Sequence, residues 1–232
     1  MRFSHAFALA LLAILSGTSS FTHLHAQTIP SPYRFVDTRQ EAGLFVGPIQ
    51  ASTGRFGFGP QSAVGFGARY GVDVSGPFGL EAAVTYLPTT RDLIDPRRAE
   101  GDRIRGEADV ELLMIEARLR FSLTGRRTWN GLSPFVFAGA GGGFDLASGP
   151  EAAELLREED QFDVGFSLLG TLGGGVRWMI GESFLLRGDA QLTLWQLETP
   201  DGYEDNSLQL EAVQQVEWAN NTAFTLGLAY RF

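Results

Sequence analysis

Cysteine is absent from the 232 residues, lysine is absent as well, and all three histidines lie at or before His25. Each absence removes a class of chemistry. Without cysteine there is no disulfide framework, no thiolate nucleophile and no site for a bacterial lipoprotein anchor. Without lysine there is no Schiff-base amine; all 18 basic residues are arginine. Beyond His25 no side chain has an unperturbed pKa near neutrality, so the commonest general base is missing. Long apolar runs are missing too. The run "AFALALLAIL", Ala6–Leu15, follows the positive start "MRF" and is too short to cross a bilayer as a helix, which takes about 20 residues. It reads as the core of a secretory signal peptide over residues 1–26, cut after Ala26 or, as the rival site, near Gly17 to Ser20. What remains carries 17 arginines against 27 acids, a net charge of −10, which argues against nucleic acid as a partner. Its length, about 206 residues, is ample for one domain.

What is present is alternation. Apolar and small or polar residues alternate with period two, and such a pattern puts the apolar side chains on one face of a strand. Strands are expected over 41–51, 62–74, 78–88, 107–123, 134–146, 163–180, 183–198 and 221–232. Most are long enough to span a membrane, which takes about 9–11 residues per strand. The connections alternate between short ("SGPF", "TGRRTWNGLS", "GES") and mostly longer, more charged segments, the sorting of turns and loops that a membrane β-barrel shows. In "VELLMIEARLRF", Leu113, Ile115, Ala117, Leu119 and Phe121 oppose Met114, Glu116, Arg118 and Arg120. In "LLRGDAQLTLW", Leu186, Ala190, Leu192 and Leu194 oppose Arg187, Asp189 and Thr193. In "SAVGFGARYGVDV", Val64, Phe66, Ala68, Tyr70 and Val72 oppose Gly65, Gly67, Arg69, Gly71 and Asp73. The stretches "GLFVG" and "FVFAGAGGGF" fit either phase.

The non-apolar face combines glycine with both signs of charge: Arg69, Glu81, Glu116, Arg118, Arg120, Arg177, Arg187, Asp189 and Arg231. A solvated surface has no need of such glycine, which weakens strands. The inside of a narrow barrel does, and about eight strands enclose a space that side chains just fill. The first eight of these residues are expected to form a structural ion-pair network in that space, because buried ions must be paired. A channel lining is the alternative. Tyr86, Phe121, Phe144, Phe166, Trp178, Trp195, Tyr230 and Phe232 fall near strand ends, where aromatic girdles are expected.

The last residues, "GLAYRF", resemble the C-terminal assembly signal of bacterial outer-membrane β-barrels in Gly227, Leu228, Tyr230 and Phe232. With the layout of eight strands and four longer loops, the region 41–232 resembles the small OmpA/OmpX-like barrels. The resemblance implies an all-β, single up-and-down antiparallel barrel, exported by its signal peptide to the cell outer membrane. It also implies recognition of the last strand by the barrel-assembly machinery, contact with outer-membrane lipid and lipopolysaccharide, and a monomer. Residues 27–40 are expected to form an N-terminal periplasmic segment. The chain departs from the OmpA type in stopping at the barrel, so no peptidoglycan tether is carried over.

Enzymes that resemble this class need a histidine, so a non-enzymatic role without cofactor or metal is expected: envelope structure or surface interaction through the loops. A narrow pore for ions or small solutes is the alternative. Residues 147–162 carry five acids and one arginine, and 198–219 six acids and none, together the full net charge. "PEAAELLREE" looks helical, with Pro150 at its start. Asp201, Glu204, Asp205 and Asn206 offer oxygen ligands without the spacing of a known calcium loop, so solvated acids are the plainer expectation. Arg97, Arg98, Arg103 and Arg105 in 89–106 are read either as contacts for lipopolysaccharide phosphates or as an ordinary solvated loop.

Overall fold

The chain is described here by a computed structural model covering residues 31–232 apart from 100, 148–154, 163, 206–207, 209 and 211–212. Residues 1–26, expected as a leader, residues 27–30 of the expected N-terminal segment, Pro150 and Asn206 lie outside the described residues. Ten strands follow in order: β1 (Tyr33–Phe35), β2 (Gln40–Gln50), β3 (Ala63–Ser75), β4 (Phe78–Ile94), β5 (Ile104–Ser122), β6 (Arg127–Trp129), β7 (Leu132–Asp145), β8 (Phe166–Ile180), β9 (Phe184–Glu198) and β10 (Val216–Arg231). The eight long strands pair antiparallel in the ring β7-β5-β4-β3-β2-β10-β9-β8, which the β8–β7 ladder closes. Closure removes every edge from this wall. The two three-residue strands form a ribbon beside it, β1 on β6 and β6 on β7. Two 3-10 turns, Glu158–Asp160 and Asp201–Glu204, lie in the loops.

The eight expected strands are all present, with shifted ends. β4 runs to Ile94 instead of stopping at residue 88, and β5 begins at Ile104, so the intervening loop shrinks to 95–103. The reason is visible in the pairing: Pro88↔Glu111, Thr90↔Asp109 and Asp92↔Glu107 continue the ladder in a stretch whose charged residues had looked like loop. β10 likewise begins at Val216, and β8 begins at Phe166. The β6–β7 hairpin comes from "NG" in the connection: Asn130 and Gly131 have φ of 50° and 82°, the pair of positive values that a type I′ turn demands.

Along β5 the outward residues Phe121, Leu119, Ala117, Ile115 and Leu113 make a belt nine residues tall, and beyond it Glu111, Asp109 and Glu107 point outward. The inward side changes in the opposite sense, from Arg120, Arg118 and Glu116 to Met114, Leu112, Val110 and Ala108. The quartet Leu112–Ile115, apolar on both faces, is where the two patterns cross. β4 shows the same crossing, with Leu80 and Val84 outward beside inward Glu81, and Leu87 and Leu93 inward farther along. The belt continues through Leu44, Val46, Phe66, Leu172, Leu192, Phe224, Leu226 and Leu228, all exposed. The ambiguous phases resolve as well: Phe45, Phe135 and Phe137 point inward, Leu44, Val46 and Val136 outward.

One aromatic residue is corrected. Trp195 is not in a girdle: it is 2% exposed and sits in the interior with Leu112, Met114 and Leu169. Its alternation partner Leu194 is the outward residue. Refolded in lipid vesicles and unfolded with denaturant, Ile115→Arg should lose about 2–4 kcal/mol from the belt. Trp195→Ala should lose about 3–5 kcal/mol, as a large core truncation does. If Trp195→Ala were as well tolerated as Trp178→Ala, the inward placement would be wrong.

Candidate functional site

The interior at the short-turn end holds ten charged side chains from six strands. Arg120 pairs with Glu41, with Asp73 at 2.7 Å and with Glu81 at 3.4 Å. Arg177 reaches Glu41 at 3.0 Å and the Ser122 and Ser133 hydroxyls at 3.0 and 3.3 Å. Arg187 pairs with Glu81 and with Asp189 at 2.8 Å. Arg69 pairs with Asp189 and donates to Thr225 Oγ1 at 3.3 Å. Arg118 holds Glu116, with Nε to Oε2 at 2.9 Å, and reaches Glu81 at 3.5 Å and Gln191 Oε1 at 3.0 Å. The contacts join all ten into one network of five arginines and five carboxylates, with no net charge. Glu81 is its hub, accepting from Arg118, Arg120 and Arg187.

All eight residues anticipated from the sequence lie in this network. Glu41 and Asp73 complete it and were not foreseen as its members. Arg231 stands apart, donating to Thr38 Oγ1 and Met179 Sδ. The interior glycines have a use beyond small size. A Cβ on Gly67 would lie 2.6 Å from Phe45 Cζ, and one on Gly173 the same distance from Phe137 Cζ. These glycines therefore seat rings, and the rings carry arginines: Arg69 lies 4.2 Å from the Phe45 centroid, Arg118 4.8 Å from Phe137 and Arg187 4.4 Å from Phe135. Such stacking suits a weakly hydrated guanidinium in a dry place.

Toward the long-loop end the interior turns apolar, and the loops fold down onto it. Phe58 packs on Phe162 with centroids 4.7 Å apart, and Phe56 on Tyr203 at 5.0 Å. Below them lie Ile49, Leu87, Val110, Leu112, Leu197 and Trp195. The gap among Ile49, Leu87, Met114, Trp195 and Asn221 measures about 10 Å³, at the edge of what a single water needs. Tyr203 donates to the Ile94 carbonyl at 3.2 Å; burial first, and then the Asp160 carboxylate, push its phenol up, so it stays neutral.

Arg97 ties the cap together. Its guanidinium contacts Glu159, Asp160 at 3.2 Å and Asp205 at 3.0 Å, joining three loops. Hydrogen bonds to Asp205 and Asp160 raise its already high pKa, so it is charged at any working pH. Arg97 is thereby committed to carboxylates of the cap. Arg98 is engaged by Asp95 and Asp102, and Arg103 donates to the Arg98 carbonyl. Asp201 and Glu204 lie in the 3-10 turn, and the described residues contain no cluster of three or more metal-ligating side chains. At the other end, Gly227 faces inward while Tyr230 and Phe232 face outward, their rings stacked at 6.1 Å.

A family model described as the outer membrane protein beta-barrel domain matches residues 39–232. The chain belongs to this family. It is a protein of the outer membrane of Gram-negative bacteria, and in such barrels the short turns face the periplasm and the long loops the exterior. Among solved structures the chain is similar to neisserial surface protein A, with 12% identity over 87% of this chain and 98% of the other, TM-score 0.47. It is similar to OprG of Pseudomonas aeruginosa at 15% identity, 85% and 98% coverage, TM-score 0.48. Ail, the attachment invasion locus protein of Yersinia pestis, is similar at 16% identity, 84% and 99% coverage, TM-score 0.39. No curated protein matches the chain.

Two expectations follow from the interior. Glu81→Gln strips a charge from three buried arginines and should cost about 3–5 kcal/mol, whereas Glu116→Gln should cost clearly less, because Arg118 keeps Glu81 and Gln191. Equal midpoints for the two variants in denaturant titration would remove Glu81 from the hub. In the cap, Arg97→Ala should release the loop holding Tyr203 and speed chymotrypsin cleavage after that residue on the order of ten-fold, with the barrel wall intact on heat-modified electrophoresis.

Proposed function

We propose that the chain is a non-conducting, non-enzymatic outer-membrane barrel that supports the envelope and acts through its extracellular face. The observation that carries this reading is the filled interior: an electroneutral arginine–carboxylate layer below and an aromatic cap above, with loops bent inward. Such a barrel offers partners a surface and gives solutes no evident path. That surface is acidic: Glu107, Asp109 and Glu111 project outward from β5 above the belt, beside loops carrying Glu158, Glu159, Asp201 and Glu204. Basic partners, or divalent cations bridging to lipopolysaccharide phosphates, match its charge.

The non-enzymatic part rests on composition. No histidine, cysteine or lysine occurs within 39–232, so a hydrolytic mechanism would have to run on carboxylates alone. Export by the segment 1–26, a periplasmic place for residues 27–40, and recognition of Gly227, Tyr230 and Phe232 by the assembly machinery belong to the same proposal. The edgeless wall supports a monomer.

Planar-bilayer recording tests the central claim. The parent should carry little steady current. Asp189→Ala, which leaves Arg69 and Arg187 short of a carboxylate inside the barrel, should be less stable and open intermittently. A large steady conductance in the parent, together with an Asp189→Ala variant of unchanged stability, would make the charges a solvated channel lining and replace this reading with a pore.

A further inference from the structure

The ribbon of β1 and β6 has two unlike faces. Pairing fixes which residues share each: Tyr33 opposes Trp129, and Phe35 opposes Arg127, so these four lie on one face, with Arg34 and Thr128 on the other. Thr128 is buried and lines the periplasmic mouth with Arg34. The first face is open: Tyr33 is 53% exposed, Phe35 56% and Trp129 50%. It is also continuous with the barrel exterior. Trp129 pairs with Leu132, and Leu132 with Trp178, which stands exposed in the lower girdle. Directly opposed residues on one sheet face have Cβ atoms about 4.5–5.5 Å apart, so Trp129 is two strands away from Trp178 on one unbroken surface.

Charge accompanies the rings. The Arg126 guanidinium stacks 4.6 Å from the Phe35 centroid and donates to the Val36 carbonyl at 3.0 Å. Arg127 is exposed on the aromatic face itself. In a chain of net charge −9, this end carries Arg34, Arg39, Arg126 and Arg127.

We propose that the β1–β6 ribbon is a lipid-binding flange: Tyr33, Phe35 and Trp129 enter the headgroup region of the periplasmic leaflet, and Arg126 and Arg127 bind an anionic glycerophospholipid there. Amphipathic rings favour that depth, and arginine matches phosphate oxygens in pairs. The flange secures the N-terminal segment to the membrane and leaves its Arg34 face turned to the barrel mouth.

The test places the whole chain in vesicles of phosphatidylcholine with phosphatidylglycerol, one or the other brominated, and follows tryptophan quenching. Subtracting the Trp129→Phe spectrum isolates Trp129 from the other three tryptophans. The Trp129 signal should be quenched by brominated lipid, and phosphatidylglycerol should be favoured about five-fold or more, as expected for arginine near an anionic headgroup. Arg127→Gln, at a side chain with no hydrogen bond or ion pair among the described residues, should bring that preference toward one while Trp129 stays quenched. A Trp129 signal insensitive to both brominated lipids would place the ribbon in water and overturn the proposal. Equal quenching by both lipids in the parent, or an undiminished preference in Arg127→Gln, would overturn the anionic-lipid assignment.

Discussion

The interior of a narrow barrel has no room for water to solvate charge, so every ion placed there must find its counter-ion on the wall. Ten charged residues meet this requirement together, and the rest of the design follows from it. The carboxylates are spread over β2, β3, β4, β5 and β9 and the arginines over β3, β5, β8 and β9, and hydrogen bonds to Ser133 on β7 and Thr225 on β10 extend the clamp to all eight wall strands. The rings of Phe45, Phe135 and Phe137 fill the space between guanidinium planes, and glycines opposite them give the rings their seats. A buried ion pair by itself is weak evidence of stability. Its value here is register: a one-residue slip of any strand would turn its charges toward the apolar belt.

Much of this was legible in the sequence. Eight alternating segments, a charged glycine-rich face and the terminal "LAYRF" were enough for the fold, and the inward residues on β3, β5 and β9 had the right face. Of what escaped, Asp73 already stood on the Arg69 face of β3 by alternation, and the rest was carried by residues whose local pattern is silent. Glu41 lies in "QEAGLFVG", where large and small residues do not alternate cleanly, so its side could not be read. Charge balance could have found it. The eight residues recognised as interior hold five arginines and three acids, and an interior that must be neutral needs two more carboxylates; Glu41 and Asp73 supply them. Trp195 was misread because an aromatic near a strand end has two possible reasons, a girdle outside or a cap inside, and only knowledge of the inward loops separates them.

The loops were the least legible part. Their acids suggested solvated segments, yet Arg97 gathers Glu159, Asp160 and Asp205 from distant stretches, and Phe56, Phe58, Phe162 and Tyr203 turn inward beneath them. No period marks such residues, because each contributes one side chain to a cluster assembled from three connections. The same holds for the periplasmic ribbon, where "RTWNG" is too short to show alternation and only the turn-forming Asn130–Gly131 pair announces a hairpin.

The crossing of patterns at Leu112–Ile115 gives the protein a depth gauge written into its own strands. Below it the wall is built for hydrocarbon outside and ions inside; above it, for water outside and hydrocarbon-like packing inside. Bilayer thickness and strand sequence are therefore matched residue by residue. Inserting two residues into β5 beneath Leu112 would preserve every side chain's face but raise the acidic row by about 7 Å measured along the strand, leaving a wider belt than its neighbours. Inserting one would reverse all faces beyond it. Length changes in these strands can be accommodated only in even steps and around the whole ring at once, which confines variation to the loops.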